Sequence, residues 1–271
     1  MHDPSTQSVA IAREVVRALE RKSIAALVTL VAAPTGVGLK MLLDEAGART
    51  GSLGDARLDE AVAAYAQTFL DSRAEARTFN AEELPGSPET SAGARLMFER
   101  IEPEPRIVIC GAGHVGAALA RLAHLIGYRA TLIDDRAAFV SRERFPQEEE
   151  VELVAAEDWA GAVRAHVRRG RGVAVAVVTR GHNEDEECLR AVMEVGPDYV
   201  GLIGSKRRTN IVLERLRAAG VDEAHLREVR APIGLDIGAV SPEEVALSVL
   251  AEIVMHRRGG TGRPLSAWRR E

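Results

Sequence analysis

The sequence predicts an α/β protein in which a doubly wound parallel sheet follows a smaller α+β domain. From Arg106 onward, apolar strand-like segments alternate with amphipathic helical segments, which is typical of βαβ units. The stretch RIVICGAGHVG places a Gly-x-Gly-x-x-Gly pattern between the first strand and its helix, as in Rossmann-like domains. The segment Asn80–Ala94 is rich in proline, glycine, serine and glutamate, as linkers are. We therefore predict a small N-terminal α+β domain over residues 1–95 and a Rossmann-like domain over residues 96–271.

Three segments of the N-terminal domain have recognisable patterns. Apolar residues at helical spacing predict a helix over Val9–Arg21, and a continuous apolar run predicts a buried strand over Ile24–Ala33. GLKMLLDEAG and ARTGSLG are typical of short strands separated by glycine turns. Asp55–Ser72 has the pattern of an amphipathic helix.

The larger domain is predicted as a regular series of strands and helices. The predicted strands are RIVIC, ATLIDD, VELVAA, GVAVAVVT and YVGLIG. One helix follows the glycine pattern, and others cover Trp159–Arg169, Glu184–Val195 and Lys206–Ala219. The last helix, SPEEVALSVLAEIVMHRR, begins with a capping box. Its apolar run Val245–Met255 predicts burial in the core or against a second copy of the chain, and we predict a homodimer through it.

Length and composition are those of a soluble globular protein. The chain has 271 residues, 46% of them hydrophobic and 28% charged, with a formal net charge of −5. We therefore expect no nucleic-acid partner. The N-terminus lacks a secretory signal pattern, and no apolar run reaches the roughly 18 residues of a membrane helix. Cys110 and Cys188 lie far apart and form no Cys-x-x-Cys pair, which fits a reducing cytoplasm and argues against a thiolate zinc site. From these observations together we predict a cytoplasmic protein without a metal site or membrane contact.

The glycine pattern indicates a nucleotide-type site. Gly111 permits the tight turn, Gly113 lets the backbone approach a pyrophosphate, and Gly116 packs the helix on the strand. The helix N-terminus offers N–H groups and the positive end of its dipole to phosphates. Asp134 ends the next strand, where an acid binds ribose, and Asp135 adds a second negative charge. These acids would repel a 2′-phosphate, so NAD is favoured over NADP.

A second group of candidates lies in the stretch LIGSKRRTN. Gly204 and Ser205 end a strand and open a helix, whose first turn carries Lys206, Arg207 and Arg208. Cations at this position oppose the helix dipole unless an anion lies opposite them. We favour an anion-binding role for these residues. The alternative is that the three side chains extend into solvent.

Further candidates follow other strands. Arg180 and His182 come directly after GVAVAVVT, so they should share one crevice with the cations above. His182 is the single candidate for a catalytic acid or base, whereas Asn183–Glu187 are interpreted as a cap and first-turn acids. His114 either hydrogen-bonds a phosphate or simply starts its helix. Asp236 accepts hydrogen bonds either from a heterocycle or, as we favour, from loop amides.

Together these motifs resemble the XdhC/CoxI family of xanthine dehydrogenase accessory proteins. RIVICGAGHVG, LIDDR, YVGLIGSKRR, APIGLDIG and SPEEVALSVLAEIV carry the resemblance over roughly residues 98–258, and GLKMLL and GSLG extend it more weakly into the N-terminal domain. The resemblance implies a chaperone that binds molybdenum cofactor (molybdopterin) as cargo, assists its sulfuration and delivers it to a molybdenum hydroxylase of the xanthine dehydrogenase type. It also implies a cysteine desulfurase as partner. An anionic pterin phosphate suits a basic crevice.

Two alternatives remain open from the sequence alone. One is an NAD-dependent oxidoreductase, and the other is an NAD-binding regulatory protein without catalysis. Hydride transfer needs an acid or base near the nicotinamide, and His182 is the one available candidate. We therefore favour the non-catalytic accessory role.

The chain departs from the family pattern in its N-terminal domain. Family members commonly carry Gly-Gly-Gly-Cys where this sequence reads GSLGDARLDE, and APTGVGLKM lacks the arginine of the usual turn. A thiolate is the natural ligand for a soft metal or a transferred sulfur. Since both cysteines fall in the other domain, the departure argues against direct sulfur handling by the small domain.

Overall fold

The chain folds into two compact units, Met1–Pro103 and Glu104–Glu271. The structure is a computed structural model that describes residues 4–21, 23–146 and 149–266. The boundary between the units falls after Pro103 rather than after residue 95 as predicted. The reason is that the strand Arg95–Ile101 pairs along its length with a strand of the first unit.

The first unit is a five-stranded antiparallel sheet with one helix packed on each face. Its elements are α1 (Pro4–Arg21), β1 (Ala25–Ala32), β2 (Lys40–Asp44), β3 (Arg49–Gly51), α2 (Ala56–Asp71), β4 (Ala76–Asn80) and β5 (Arg95–Ile101). The strand order is β3-β2-β1-β5-β4. Successive residues of β1 point to opposite faces, so Ala25 packs with Ile11 of α1, whereas Ala26 and Val28 pack with α2.

The segment predicted to be a linker belongs to this first unit. It crosses from β4 to β5 through two short 3₁₀ turns, Ala81–Glu83 and Glu89–Ser91. The Ala81 N–H donates to the carbonyl of Ala94 at 2.9 Å, which closes the crossing at its base. Proline, glycine and serine here serve a connection within one sheet and not a link between domains.

The second unit is a doubly wound parallel sheet, which confirms the predicted Rossmann-like fold. Its strand order is β8-β7-β6-β9-β10, and every neighbouring pair is parallel. Its elements are β6 (Arg106–Cys110), α3 (His114–Leu125), β7 (Arg129–Asp134), β8 (Glu152–Ala155), α4 (Trp159–His166), β9 (Gly170–Val177), α5 (His182–Val195), β10 (Pro197–Leu202), α6 (Lys206–Ala218), α7 (Glu223–Glu228) and α8 (Pro242–Arg258).

The sheet of the second unit is buried on both faces, which explains its continuously apolar strands. Ile107 and Ile109 of β6 face the side covered by α3 and α8. Val108 of β6 faces the opposite side, where α4, α5 and α6 pack. None of the helices in the described ranges has the length and apolar character needed to cross a membrane.

The apolar run of α8 is explained within its own unit. Ala246, Val249 and Ile253 are buried among side chains of α3 and the sheet, whereas Leu247 is 51% exposed. The Ser241 hydroxyl accepts from the Glu244 N–H at 3.2 Å, as the predicted capping box requires. Burial in the core thus accounts for the apolar pattern, and the homodimer stays a prediction.

Candidate functional site

The loops that follow β6, β9 and β10 lie together at the carboxyl edge of the parallel sheet. The Val178 N–H donates to the carbonyl of Cys110 at 2.8 Å, and the Ile203 N–H donates to the carbonyl of Val177 at 2.9 Å. The glycine turn, the loop Thr179–Gly181 and the turn at Gly204 therefore adjoin, as the strand order requires.

The three glycines of the fingerprint have different roles. Gly111 has a φ of 115°, and a Cβ there would lie 2.5 Å from the carbonyl oxygen of Val178. A Cβ on Gly116 would lie 1.8 Å from the carbonyl oxygen of Gly111. Both positions are thus required by the packing of the protein itself. A Cβ on Gly113 would meet nothing within 4 Å, so the packing of the protein does not require glycine at this position.

The N-terminus of α3 adjoins this open turn. Gly113 is the N-cap residue, and its lack of a side chain leaves the cap without a side-chain hydrogen bond. The first-turn N–H groups of a helix have no partner within the helix and favour an anion. His114, the first residue of α3, is exposed at this position. The turn therefore offers backbone donors and one imidazole to a phosphate.

Asp134 is committed to the protein rather than available to a ribose. Its carboxylate is 1% exposed and accepts from the Ala112 N–H at 2.7 Å. It also accepts from the Arg136 N–H at 3.0 Å and from the Arg136 guanidinium at 2.8 and 2.9 Å. The predicted acid thus holds the glycine turn in place, and ribose binding would require these bonds to be exchanged.

Electrostatics keep Asp134 ionised although it is buried. Burial acts to raise its pKa, but the hydrogen bonds from Arg136 and from the Ala112 amide outweigh burial and lower the pKa below its usual value. Arg136 in turn lies 3.7 Å above the ring of Phe139. The carboxylate and its arginine therefore form one fixed assembly at the end of β7.

A second arginine holds the same turn from its other side. Arg144 donates to the carbonyl of Ala112 at 2.6 Å, and its guanidinium lies 4.6 Å from the centre of the Phe139 ring. Burial, followed by the nearby charge of Arg121, lowers the pKa of Arg144. Neither Arg136 nor Arg144 was predicted from the sequence. Their signal was the alternation of arginine with phenylalanine in DDRAAFVSRERF.

Arg208 is paired within the protein. Its guanidinium donates to the carboxylate of Asp185 at 2.6 Å and 3.1 Å and to the carbonyl of Thr179 at 3.2 Å. The Thr179 hydroxyl also donates to Asp185, at 2.6 Å. Asp185 is fully buried, and burial raises its pKa despite these hydrogen bonds. The anion predicted opposite this cation is thus an internal carboxylate.

Asp185 lies in the first turn of α5, as the sequence predicted, but its burial and its partner were not predicted. The sequence signal for its burial is its position along α5. Asp185 lies on the same buried helix face as Cys188, Leu189 and Val192. An acid on the apolar face of a helix needs a buried partner. That partner comes from α6.

Arg180 is also paired within the protein. Its guanidinium donates to both oxygens of Asp135, at 2.7 and 2.8 Å, across the carboxyl edge from β9 to β7. Glu184 lies 3.7 Å from the same guanidinium. The predicted basic crevice is therefore neutralised at Arg180 as well as at Arg208, by acids of the same unit.

The remaining predicted cations face solvent. The side chains of Lys206 and Arg207 are exposed and make no hydrogen bond or ion pair with a described residue, which matches the alternative of extension into solvent. Ser205 caps α6 itself by accepting from the Arg208 N–H at 3.2 Å. His182 is partly buried at the first position of α5. No acid–base pair with His182 is formed among the described residues.

A cavity of about 420 Å³ opens on the α3 and α8 side of this edge. Val115, Ile203, Ile233 and Leu235 form apolar walls. Gly204 also lines it. The described lining residues include no lysine or arginine, so Arg180, His182 and Lys206–Arg208 do not line this cavity, and their grouping around one ligand stays a prediction. The carboxylate that lines it is Asp236, which is exposed and accepts no hydrogen bond from a described residue. Our favoured interpretation of Asp236, as an acceptor for loop amides, is therefore wrong.

Neither cysteine is available at the surface. Cys110 and Cys188 are both fully buried and free of disulfide. The pKa of Cys188 is raised mainly by the hydrogen bond with Cys110 and, to a smaller extent, by burial. The thiol is therefore not ionised near neutral pH. Across the described ranges, the His, Cys, Asp and Glu side chains form no group of three or more arranged to hold a metal ion.

Family models match both units of the chain. The model of the XdhC Rossmann domain matches residues 107–253, which is more than half of the chain, and that of the XdhC and CoxI family matches residues 18–80. The chain belongs to the XdhC and CoxI family. The motifs that carried the resemblance lie in these matched regions. This XdhC-family chain has no cysteine in its first unit.

Curated relatives agree with this assignment. The uncharacterised protein YqeB of Escherichia coli is 32% identical over 231 residues, which are 82% of this chain and 41% of YqeB. A probable xanthine dehydrogenase subunit from Bacillus subtilis is 30% identical over 67% of this chain and 51% of its own length. PaoD of Escherichia coli, a molybdenum cofactor insertion chaperone, is 33% identical over 31% of this chain and 26% of PaoD. The chain thus spans about half or less of the length of these relatives.

Two solved structures resemble the XdhC-family chain more distantly. The structure of a xanthine dehydrogenase from Bacillus halodurans is 16% identical, with a TM-score of 0.49, and covers 94% of this chain and 97% of that chain. An imine reductase from Myxococcus stipitatus in complex with NAD⁺ is 19% identical, with a TM-score of 0.32, over 44% of this chain and 39% of that chain. Neither similarity bears on function.

Proposed function

We propose that this XdhC-family chain is an accessory factor that binds molybdenum cofactor and assists its maturation and insertion into a xanthine-dehydrogenase-type molybdenum hydroxylase. The proposal extends to this chain what the names of two relatives say, namely a molybdenum cofactor insertion chaperone and a probable component of a xanthine dehydrogenase. It describes a cytoplasmic protein that holds its cargo reversibly and catalyses no reaction on it.

The observation that carries the proposal is the cavity beside the uncapped N-terminus of α3. Its volume of about 420 Å³ lies within the range of small-molecule sites, and its walls are mainly apolar, with Asp236 and Ser248 as the polar side chains among the described lining residues. Val115, in the first turn of α3, lines it, so a ring in the cavity brings its phosphate close to the backbone donors of that turn. An anionic pterin phosphate fits this combination.

The same site gives little support to an NAD-dependent oxidoreductase or an NAD-responsive regulator. Asp134, the acid at the ribose position, is saturated by Ala112 and Arg136, and Asp135 is held by Arg180. Burial raises the pKa of Asp185 and the charge of His182 acts against this rise, but that acid is already held by Thr179 and Arg208. We therefore expect NAD to bind weakly and without turnover.

Sulfuration of the cofactor would depend on a partner for its thiol chemistry. Both cysteines are fully buried, and the first unit contains none. In this proposal a cysteine desulfurase carries the sulfur and transfers it to the cofactor while this chain holds the pterin. The chain contributes binding and orientation.

The proposal is tested by loading the purified full chain with molybdenum cofactor and measuring the pterin retained after gel filtration, by fluorescence of its oxidised form. We expect saturable retention, and loss of hydroxylase activity in cells that lack this protein. Absence of saturable retention together with unchanged hydroxylase activity would contradict the proposal. Thermal shifts with NAD and AMP serve as the comparison, since a ligand at about 100 times its Kd adds roughly 2.7 kcal/mol of stability.

A further inference from the structure

Asp236 differs from the other acids around the carboxyl edge. Asp134, Asp135 and Asp185 each accept two or more hydrogen bonds from side chains or backbone of the same unit. Asp236 accepts none from a described residue, although it lines the cavity, in which the other polar side chain, Ser248, donates to the carbonyl of Val245 at 3.0 Å. Because Asp236 is exposed, water solvates its carboxylate in the free protein, and a ligand with suitably placed donors can replace that water.

The loop that carries Asp236 is held firmly by α8. The Gly234 N–H donates to Glu252 at 2.7 Å, and the Leu235 N–H donates to the carbonyl of Ser248 at 3.2 Å. Gly234 has a φ of 109°, and a Cβ there would lie 2.5 Å from the Ser248 hydroxyl. Glu252 also accepts from the hydroxyl of Tyr199 at 2.8 Å. The backbone directly before Asp236 is thus fixed, so the carboxylate is presented at a defined place on the cavity wall.

The donor pattern that matches a carboxylate is a pair of adjacent N–H groups. A 2-amino-4-oxopyrimidine ring presents a ring N–H beside an exocyclic amine, so both carboxylate oxygens accept at once. Pterins and guanine share this edge. Adenine presents an unprotonated ring nitrogen at the corresponding position and has no 2-amino group, so it leaves the carboxylate without its two donors and costs affinity.

We propose that the cavity recognises the 2-amino-4-oxopyrimidine edge shared by pterins and guanine, and that Asp236 is its specificity-determining residue. The apolar side chains of Ile203, Leu235 and Val115 pack against the flat ring. Val115 also belongs to the first turn of α3, so a phosphate on the ring's substituent points to the uncapped helix. That the natural ligand is a pterin and not a guanine nucleotide rests on the function proposed above.

The experiment is isothermal titration of the full chain with GMP, IMP and AMP. IMP keeps the ring N–H and lacks the 2-amino group, so we expect affinity to fall from GMP to IMP to AMP. Asp236→Asn replaces one acceptor by a donor and should weaken GMP binding about tenfold or more while leaving AMP binding unchanged. Glu228→Gln, at an exposed acid of α7, is the matched control and should bind GMP like the unaltered chain. Circular dichroism checks that both variants fold.

The outcomes separate this inference from the proposed function. Equal affinity for GMP and AMP, or an Asp236→Asn variant that binds GMP normally, overturns the inference even if molybdenum cofactor is retained. Selective GMP binding that Asp236→Asn removes supports the inference. If the chain binds GMP selectively but does not retain molybdenum cofactor, the cavity is a guanine-nucleotide site. The proposed function is then contradicted, whereas this inference stands.

Discussion

The pair formed by Asp185 and Arg208 is unequal in its exposure to water. The carboxylate is fully buried, whereas the guanidinium is 24% exposed. Burial raises the pKa of Asp185 above its usual value, and Arg208 partly offsets this effect. Removal of the arginine would leave an uncompensated charge in the core, which is far more costly than loss of an exposed ion pair.

Replacement of Arg208 by methionine should therefore destabilise the second unit. We expect the free energy of unfolding at pH 7 to fall by about 3 to 5 kcal/mol, measured by urea denaturation. Arg207→Met, at the exposed neighbouring position without a partner among the described residues, is the control and should change it by less than about 0.5 kcal/mol.

The loss of unfolding free energy caused by Arg208→Met should also depend on pH. Without Arg208, the folded-state pKa of Asp185 rises further above its unfolded value, so the folded state binds the proton more tightly. As the pH falls from 7 toward the pKa of Asp185 in the unfolded state, the variant therefore regains stability relative to the unaltered chain. Denaturation curves of both proteins at pH 7 and pH 5 measure this change, and an equal deficit at both values would contradict the assignment.

At the residue scale, the sequence predicted positions better than partners. The spacing from the glycine pattern correctly placed Asp134 at the end of β7. It did not predict that Arg136, two residues later, turns back to saturate the same carboxylate. Likewise, Arg180 and Arg208 were correctly placed after their strands, but the acids that neutralise them come from the residue after β7 and from α5. Pairing depends on tertiary packing, which local spacing does not encode.

At the scale of the element, the strand–turn–helix from β6 to α3 combines two kinds of glycine. Gly116 faces the carbonyl of Gly111 and tolerates no side chain, whereas Gly113 faces open space. The first kind belongs to packing and the second to ligand approach. A sequence motif alone does not separate them.

Alanine at each position should separate these two roles. Gly116→Ala sets a Cβ 1.8 Å from a backbone oxygen and should lower the free energy of unfolding by more than about 2 kcal/mol. Gly113→Ala should cost less than about 1 kcal/mol. It should nevertheless weaken GMP binding, because the methyl group lies where the phosphate approaches. Denaturation and titration of both variants measure this, and unaltered GMP affinity in Gly113→Ala would remove the turn from the binding site.

Elements with a continuous apolar pattern were predicted well, whereas β4 and β5 of the first sheet were not predicted. In β4, Phe79 is the one buried side chain, so no alternation marks the strand. In β5, Leu96 and Phe98 do alternate with more exposed residues, but the preceding segment has a linker composition. A connection within one sheet and a connection between domains share that composition. The pairing of β5 with β1, far away in the sequence, makes the difference.

At the scale of the whole molecule, each unit has its own hydrophobic core. The clusters around α2 and around α1 contain residues of the first unit alone, and those on the two faces of the parallel sheet contain residues of the second. A cluster enclosed within one unit does not need the other unit in order to form.

Each unit should therefore fold when produced separately. We expect fragments 1–103 and 104–271 each to show a single cooperative unfolding transition by circular dichroism, and fragment 104–271 to bind GMP with the affinity of the full chain. A control fragment cut after residue 95 should aggregate or unfold without cooperativity, since it lacks β5 between β1 and β4. Non-cooperative unfolding of fragment 104–271 would contradict the division.

The bidentate contact between Arg180 and Asp135 acts as a built-in competitor for anions at the β9 side of the carboxyl edge. Any incoming sulfate or free phosphate has to displace a carboxylate that is already covalently tethered and correctly aligned. A guest anchored elsewhere by its ring gains a comparable advantage of high local concentration. We therefore expect sulfate and free phosphate to gain little at Arg180, and a ligand held elsewhere by its ring to compete better with Asp135.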